Sequence, residues 1–280
     1  IGVGDVCEVK SGPGFYKAKG SRLVAVMRRT LSAAQDFAER HGVPRAYGTV
    51  DALLSDEAVN AVYVASPVGS HLEHALAAAK AGLPTIMEKP LGRCAEEARQ
   101  IVEAFESAGV PLWVAYYRRS HPCWLALKAM LERGDVGDVV GITYDLRWEL
   151  SADVRAFVAE QEEAARREAG ATGTAAAAHK LPWRLDPAAS GGGLVMDVGA
   201  HAVDILEFLF GPLELVPGPG TCARRSKASE GPYRAAPVED EVRLEFVTTR
   251  HGRVRGQMRW DFAGPAGRGK EETLTIVGTR

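Results

Sequence analysis

The chain is poor in cysteine. Its four thiols, Cys7, Cys94, Cys123 and Cys222, stand far apart and form no C-x-x-C pair. That spacing excludes a zinc ribbon and suits a reduced, cytoplasmic protein with incidental thiols. Long apolar runs are missing too: none approaches the ~20 residues of a membrane span. There is no signal-peptide pattern, and the first residue is Ile1 rather than Met. Charge of one sign is equally scarce. Thirty-four Lys and Arg face 36 Asp and Glu, a formal net charge of −2, with no lysine-rich patch. This argues against a dedicated binder of nucleic acid or another polyanion. No internal repeat is visible. What remains is 280 residues, enough for two ordinary domains with a sizeable core.

The first part of the chain alternates short apolar runs with amphipathic segments. Leu23–Met27 ("LVAVM"), Ala61–Ser66 ("AVYVAS"), "TIME" and "PLWVAY" read as buried strands. Between them, helical segments close at Gly42, Gly82 and Gly109. Such alternation predicts βαβ units and a doubly wound parallel sheet. After about Tyr117 the rhythm changes. A helix, "WLALKAMLERG", precedes a long strand, "DVVGITYDLRWEL". "EVRLEFVTT" and "GRVRGQMRWDF" suggest an antiparallel pair, and "ETLTIVG" a further strand. The expectation is therefore an α/β chain: a Rossmann-type domain over 1–118 and an α+β domain over 119–280 with a largely antiparallel open sheet. Residues 151–180, rich in Ala, Glu and Arg, read as a helix and a mobile excursion, and the Gly- and Pro-rich stretch 211–237 as a long loop. A doubly wound domain needs a strand just before its glycine turn, and only Ile1 stands there. The other end, "LTIVGTR", stops at a strand. Both domains are thus expected to be shortened copies of those in a longer parent.

Several motifs carry chemistry. "IGVGDVC" holds Gly2 and Gly4 in G-x-G spacing, with Cys7 where a third glycine would stand. The first glycine permits the tight turn, and the second lets backbone approach a pyrophosphate. Asp5 and Val6 complete that turn. At the end of the Leu23–Met27 strand, where an acid would hold an adenosine ribose, stand Arg28 and Arg29. A planar two-pronged donor suits a 2′-phosphate, so NADP is expected, with NAD as the alternative. "SPVGSH" brings Ser66, Pro67, Ser70 and His71 to the carboxyl edge of the sheet, where ligands of open parallel sheets lie. His71 reads equally well as a helix cap. "MEKP" ends a strand in Glu88 and Lys89 before Pro90, which places a lysine to hydrogen-bond a reacting oxygen.

Taken together, the G-x-G opening, "SPVGSHLEHALAAAKAG", "EKPLG", "YYRRSHP", "PWR" and "GGGLVMDVGAHAVDILEFLFG" resemble the Gfo/Idh/MocA family of NAD(P)-dependent oxidoreductases over nearly the whole chain. The resemblance implies a Rossmann domain followed by an α/β domain whose open sheet is often an oligomer interface, hence a homodimer or homotetramer. It implies Lys89 as the lysine of the E-K-P motif, with Asp197 and His201 as catalytic partners. It also implies a carbinol of a sugar, inositol or cyclic diol as substrate. The chain departs from the pattern at Cys7, in the 151–180 excursion and in its early stop.

Asp197 and His201 are four residues apart and so share a helix face. A carboxylate beside an imidazole orients it and stabilises its cation, which makes a proton-transfer unit. The preceding glycines would let the helix start press close to a ligand. A metal site is the rival reading, but Asp204 lies seven residues from Asp197 and no H-x-x-x-H is present, so no metal is expected. Tyr117, Arg118, Trp183 and Arg184 are candidates for substrate contact. The expected reaction passes a hydride between the nicotinamide and the substrate carbinol, while His201 takes the hydroxyl proton and Lys89 hydrogen-bonds the same oxygen. Two other classes stay open: an NAD-assisted glycosidase or lyase on the same fold, and a non-catalytic nucleotide-binding regulator.

Overall fold

A computed structural model describes residues 1–148, 186–218, 222–224, 239, 241–250, 252–262 and 269–280. The chain divides into two units, Ile1–Tyr116 with Ala188–Gly191, and Tyr117–Pro187 with Gly192–Arg280.

The first unit alternates as its apolar pattern dictates. Helices α1 (Asp5–Val9) and α2 (Ser11–Lys17) precede strand β1 (Ala25–Met27). Then come α3 (Leu31–His41), β2 (Arg45–Tyr47), α4 (Val50–Leu54), β3 (Val62–Val64), α5 (His71–Lys80), β4 (Thr85–Met87), α6 (Ala95–Ala108) and β5 (Leu112–Val114). β1 and β2 pair in parallel, as do β3, β4 and β5. The backbone of Ile1–Val3 joins the two ladders. The Ile1 nitrogen donates to the Tyr63 carbonyl (2.8 Å), and the Ile1 carbonyl accepts from Ala65 (2.9 Å). On the other side Gly2 and Val3 donate to the Met27 carbonyl at 2.9 and 3.2 Å. The result is one parallel layer in which Val26, Val62, Val64 and Met87 are buried, as a sheet covered on both faces requires. β2 is absent from the sequence reading because three residues without alternation carry no strand signal; its pairing with β1 supplies the order.

The second unit starts with α7 (Pro122–Glu132), its proline at the first turn where a missing N–H costs nothing. β6 (Val139–Trp148) follows. Beyond a turn over Val195–Gly199, the Ala200–Phe210 helix leads to β7 (Leu213–Leu215), β8 (Cys222–Arg224), β9 (Glu241–Thr248), β10 (Arg255–Asp261) and β11 (Lys270–Gly278). The sheet runs β11-β6-β10-β9-β7, with β8 also on β9. Within this sheet, among its described strands, only the β10–β6 ladder is parallel; the others are antiparallel. The expected long loop over 211–237 is therefore corrected at two places. β7 and β8 are short edge strands held by backbone pairing to β9, which a Gly- and Pro-rich sequence does not advertise.

Alternation along the long strands separates two faces. Tyr144, Leu146, Val242, Phe246, Met258 and Trp260 share one buried cluster with Ile205, Leu206, Leu209 and Phe210. The opposite face carries charges in pairs: Arg243 with Glu241 (2.9 Å), Arg259 with Glu241 (3.1 Å), and Arg259 with Asp261 (2.8 Å). Gly256 stands opposite Phe246 in the β10–β9 register. A Cβ there would lie 2.3 Å from the Phe246 ring, so the glycine is the room that ring occupies. Gly256→Ala should evict the ring and destabilise by ~1–3 kcal/mol, the usual cost of overpacking. Thermal or urea unfolding reads this directly; an unchanged midpoint would show that the ring does not depend on the gap.

Candidate active site

In the first unit the candidate residues lie along the carboxyl edge of the parallel sheet. Past their own strands, Arg28 donates its N–H to Tyr47 (3.1 Å), Glu88 to Val64 (2.9 Å) and Ala115 to Met87 (2.8 Å), which keeps the strand ends aligned. Gly2 has φ of +81°, and a Cβ on it would sit 2.6 Å from the Ser66 backbone. Only glycine meets both conditions. At Gly4 a Cβ would meet nothing nearer than the Gly2 carbonyl at 4.0 Å, so the space beside the turn is open. Asp5 and Val6 begin α1, whose first N–H bonds run from Cys7 and Glu8 to the Gly4 carbonyl. Cys7 is buried and fills the third-glycine position as a small core residue. This turn, open beside Gly4, fits the pyrophosphate of a dinucleotide. Arg28 and Arg29 are exposed and form no ion pair among the described residues.

The "SPVGSH" segment is held from within. Ser66 Oγ lies 2.9 Å from His74 Nδ1, and both residues are buried. Pro67 precedes a 3₁₀ turn over Val68–Ser70 that runs into α5. His71 is fully buried. Its Nε2 faces the Ser66 carbonyl (2.9 Å) and its Nδ1 the Pro90 carbonyl (3.0 Å). Burial holds its pKa below the ordinary histidine value. A neutral imidazole has one donor, so it ties one of these carbonyls at a time. The ring spans the end of β3 and the turn after Lys89. Glu88 accepts from the Tyr63 hydroxyl (2.5 Å) and from the Lys89 N–H (3.2 Å). Burial, reinforced by the Glu88 bond, pushes the Tyr63 hydroxyl upward. Lys89 is half-buried and joins Pro90 through a cis peptide. Tyr63 lies in a buried-strand run and His74 inside "SPVGSHLEHALAAAKAG", yet neither is marked there as a contact residue. Their partners lie 25 and 8 residues away, and only the fold shows them.

Two of the three glycines after Ser190, Gly191 and Gly192, lie against the protein itself and not in open space, which corrects for these two the expectation that they make room for a ligand. Gly191 has φ of +82°, and a Cβ there would lie 2.2 Å from the Arg93 carbonyl. The Arg93 side chain in turn donates to the Ala188 carbonyl (2.9 Å) and to Glu97 (2.7 Å). In the second unit a Cβ on Gly192 would lie 2.5 Å from Met196 Cγ.

Asp197 lies in a π-turn, Val195–Gly199, not in the α-helix that the spacing predicts. Gly199 permits it: a Cβ there would meet Trp260 at 3.3 Å and Val195 at 2.9 Å. π-turns of this kind recur at functional sites. His201 opens the α-helical part and is 9% exposed. The Tyr117 ring, 63% exposed, stands edge-on to it with centroids 5.1 Å apart. Asp204 is buried and accepts from Arg119 Nε (2.8 Å) and Nη2 (2.6 Å), a structural acceptor. Arg118 reaches Glu272, Nη1 to Oε1 at 2.5 Å and Nη2 to Oε2 at 3.2 Å. Tyr144 and Lys270 donate to the same carboxylate at 3.0 and 2.9 Å. Burial would raise the Glu272 carboxyl, but Arg118 and Lys270 outweigh it and hold it at about 2. Trp183 and Arg184 lie outside the described residues. Lys89 belongs to the first unit, Asp197 and His201 to the second. Among the described residues no group of three or more His, Cys, Asp or Glu is arranged to hold a metal ion.

Residues 1–116 match the model of an oxidoreductase family with an NAD-binding Rossmann fold, and residues 124–280 match the GFO/IDH/MocA C-terminal domain. The chain belongs to the Gfo/Idh/MocA oxidoreductase family. An oxidoreductase of Formosa agariphila is 36% identical over 214 residues, covering 76% of this chain and 60% of that protein. A D-xylose 1-dehydrogenase (NADP(+)) of Haloferax volcanii is 32% identical over 203 residues, 72% of this chain and 54% of that protein. The chain thus spans little more than half the length of these curated relatives. The crystal structure of a putative NADPH-dependent oxidoreductase of Desulfitobacterium hafniense superposes with a TM-score of 0.79 at 21% identity, over 100% of this chain and 69% of that one, which shows the shared fold.

Proposed function

We propose that this chain is the core of a nicotinamide-dependent oxidoreductase acting on a carbinol or carbonyl of a sugar, inositol or cyclic diol. One observation carries the reading: a single sheet edge bears the bare Gly2–Gly4 turn, Arg28, Ser66 and the E-K-P lysine in succession. The name of the Haloferax relative supports the substrate class. The turn at Gly2, Gly4, Asp5 and Val6 would hold the pyrophosphate of the cofactor. Arg28, with Arg29 beside it, would hold the 2′-phosphate of NADP. Ser66, Pro67, Ser70 and His71 shape the adjoining wall, and Glu88 fixes the strand end beside Lys89. When bound, the nicotinamide supplies the hydride chemistry.

The chain's own residues handle the proton. His201 takes the hydroxyl proton in oxidation and returns it in reduction. Asp197 orients the imidazole and stabilises its cation. Lys89 hydrogen-bonds the substrate oxygen. Tyr117 and Arg118, with Trp183 and Arg184, are assigned to the substrate's side. We assign residues 1–118 to cofactor binding and 119–280 to substrate binding and assembly. A homodimer or homotetramer would form through the charge-paired face of the second unit's sheet. Free thiols at Cys7, Cys94 and Cys123 suit a reducing, cytoplasmic setting.

The test is a polyol and sugar panel read at the reduced-cofactor absorbance band. Lys89→Ala, His201→Ala and Asp197→Ala should each lower turnover by roughly 10²–10⁴, the span of acid–base groups, while cofactor affinity stays within a few-fold. Oxidation should rise with pH through an ionisation that His201→Ala removes. Near-normal turnover in all three variants would refute the assignment. NADP(H) should bind more tightly than NAD(H), and Arg28→Asp should flatten or reverse that order, because a carboxylate repels a 2′-phosphate and accepts from a free 2′-hydroxyl. Equal or tighter NAD(H) binding by the unaltered protein would sink the NADP reading.

A further inference from the structure

A cavity of about 340 Å³ opens in the second unit, bordered by Tyr117, Arg118, Trp124, Tyr144 and Glu272. Its size falls within the ~300–1,000 Å³ of small-molecule sites. Tyr117 belongs both to this cavity and to the edge-on contact with His201, so the cavity adjoins the candidate proton acceptor. The aromatic side chains of Tyr117, Trp124 and Tyr144 line it.

Arg118 is the group in this wall suited to grip a carboxylate, because a guanidinium fork matches two oxygens at once. Both its terminal nitrogens are already engaged by Glu272, and its side chain is only 14% exposed. Glu272 is equally committed. Its two oxygens take Arg118 twice, Tyr144 and Lys270, about the four donors a carboxylate accommodates. The low pKa of Glu272 keeps it ionised across the physiological range. A substrate carboxylate entering here would find the fork already taken by Glu272, whose own charge Arg118 and Lys270 offset.

We propose that Glu272 determines substrate class: by occupying Arg118, it reserves this cavity for a neutral polyhydroxylated ring and turns sugar acids away. The proposal rests on the oxidoreductase reading only for the identity of the site; the charge selection itself is a binding property. Specificity of this kind is a difference between two affinities, and here it comes from withholding the guanidinium fork from an incoming carboxylate.

The experiment compares D-glucose with D-glucuronate, which differ only in a hydroxymethyl against a carboxylate, by calorimetric titration of the whole chain. NAD(P)H formation is followed in parallel. The unaltered protein should bind glucuronate at least about tenfold more weakly than glucose. Glu272→Gln keeps the shape and frees the Arg118 charge, so glucuronate should gain about tenfold and the preference should narrow or invert. Adding Arg118→Gln to it should abolish that gain, which assigns the gain to the guanidinium and not to a loosened fold. Equal binding of the two sugars by the unaltered protein overturns the proposal. So does no detectable glucose binding, or a ratio that Glu272→Gln leaves unchanged. The two readings fail separately. Charge-selective binding without turnover on any sugar removes the oxidoreductase reading alone. Turnover with indifferent binding removes the role of Glu272 alone.

Discussion

At Gly2 the chain passes so close to Ser66 that no side chain fits between them. Most of the first unit follows from this approach. It requires a left-handed turn, and therefore glycine, and it sets the Ile1–Val3 backbone between β1 and β3. Once that segment is fixed, the ends of β1, β3 and β4 align along one edge. Arg28, Ser66 and Glu88 then emerge side by side. The buried His71 ring fills the space between the Ser66 carbonyl and the turn after Lys89, donating to one of the two carbonyls it faces. At the candidate cofactor surface the close Gly2–Ser66 approach and the buried His71 and His74 contacts hold the sheet edge.

The second unit applies close packing differently. The Ala200–Phe210 helix covers a sheet face of large buried side chains, and Gly199 lets the π-turn settle against Trp260. Asp197 is carried in that turn. Asp204, one turn beyond His201, is anchored by Arg119. The neighbouring Arg118 is anchored by Glu272. Two adjacent arginines therefore serve two different carboxylates, one on the helix and one on the outermost strand of the sheet.

Much of this was legible in the residues, and the limits have physical causes. Buried parallel strands announce themselves as apolar runs, so Leu23–Met27 and "AVYVAS" contain β1 and β3. Edge strands need only backbone pairing, and β2, β7 and β8 left no comparable trace. A π-turn has no composition of its own. Asp197 and His201 were visible as residue types at helical spacing, while the local winding was not. Long-range partners were the least accessible. Arg118 and Glu272 are 154 residues apart, and nothing near either one names the other. The glycine run after Ser190 signals close approach, but the partners, the Arg93 backbone for Gly191 and the Met196 side chain for Gly192, are not legible beside it.

In the proposed reaction a hydride moves between a carbinol carbon and a nicotinamide carbon. The most direct measurement uses a sugar or polyol deuterated on its carbinol carbon, incubated with the protein and oxidised cofactor. Magnetic resonance of the recovered cofactor then locates the label. Hydride transfer places deuterium at C4 of the nicotinamide, on one face only. Deuterium lost to water, or retained in a product formed by elimination without net reduction of the cofactor, would contradict it.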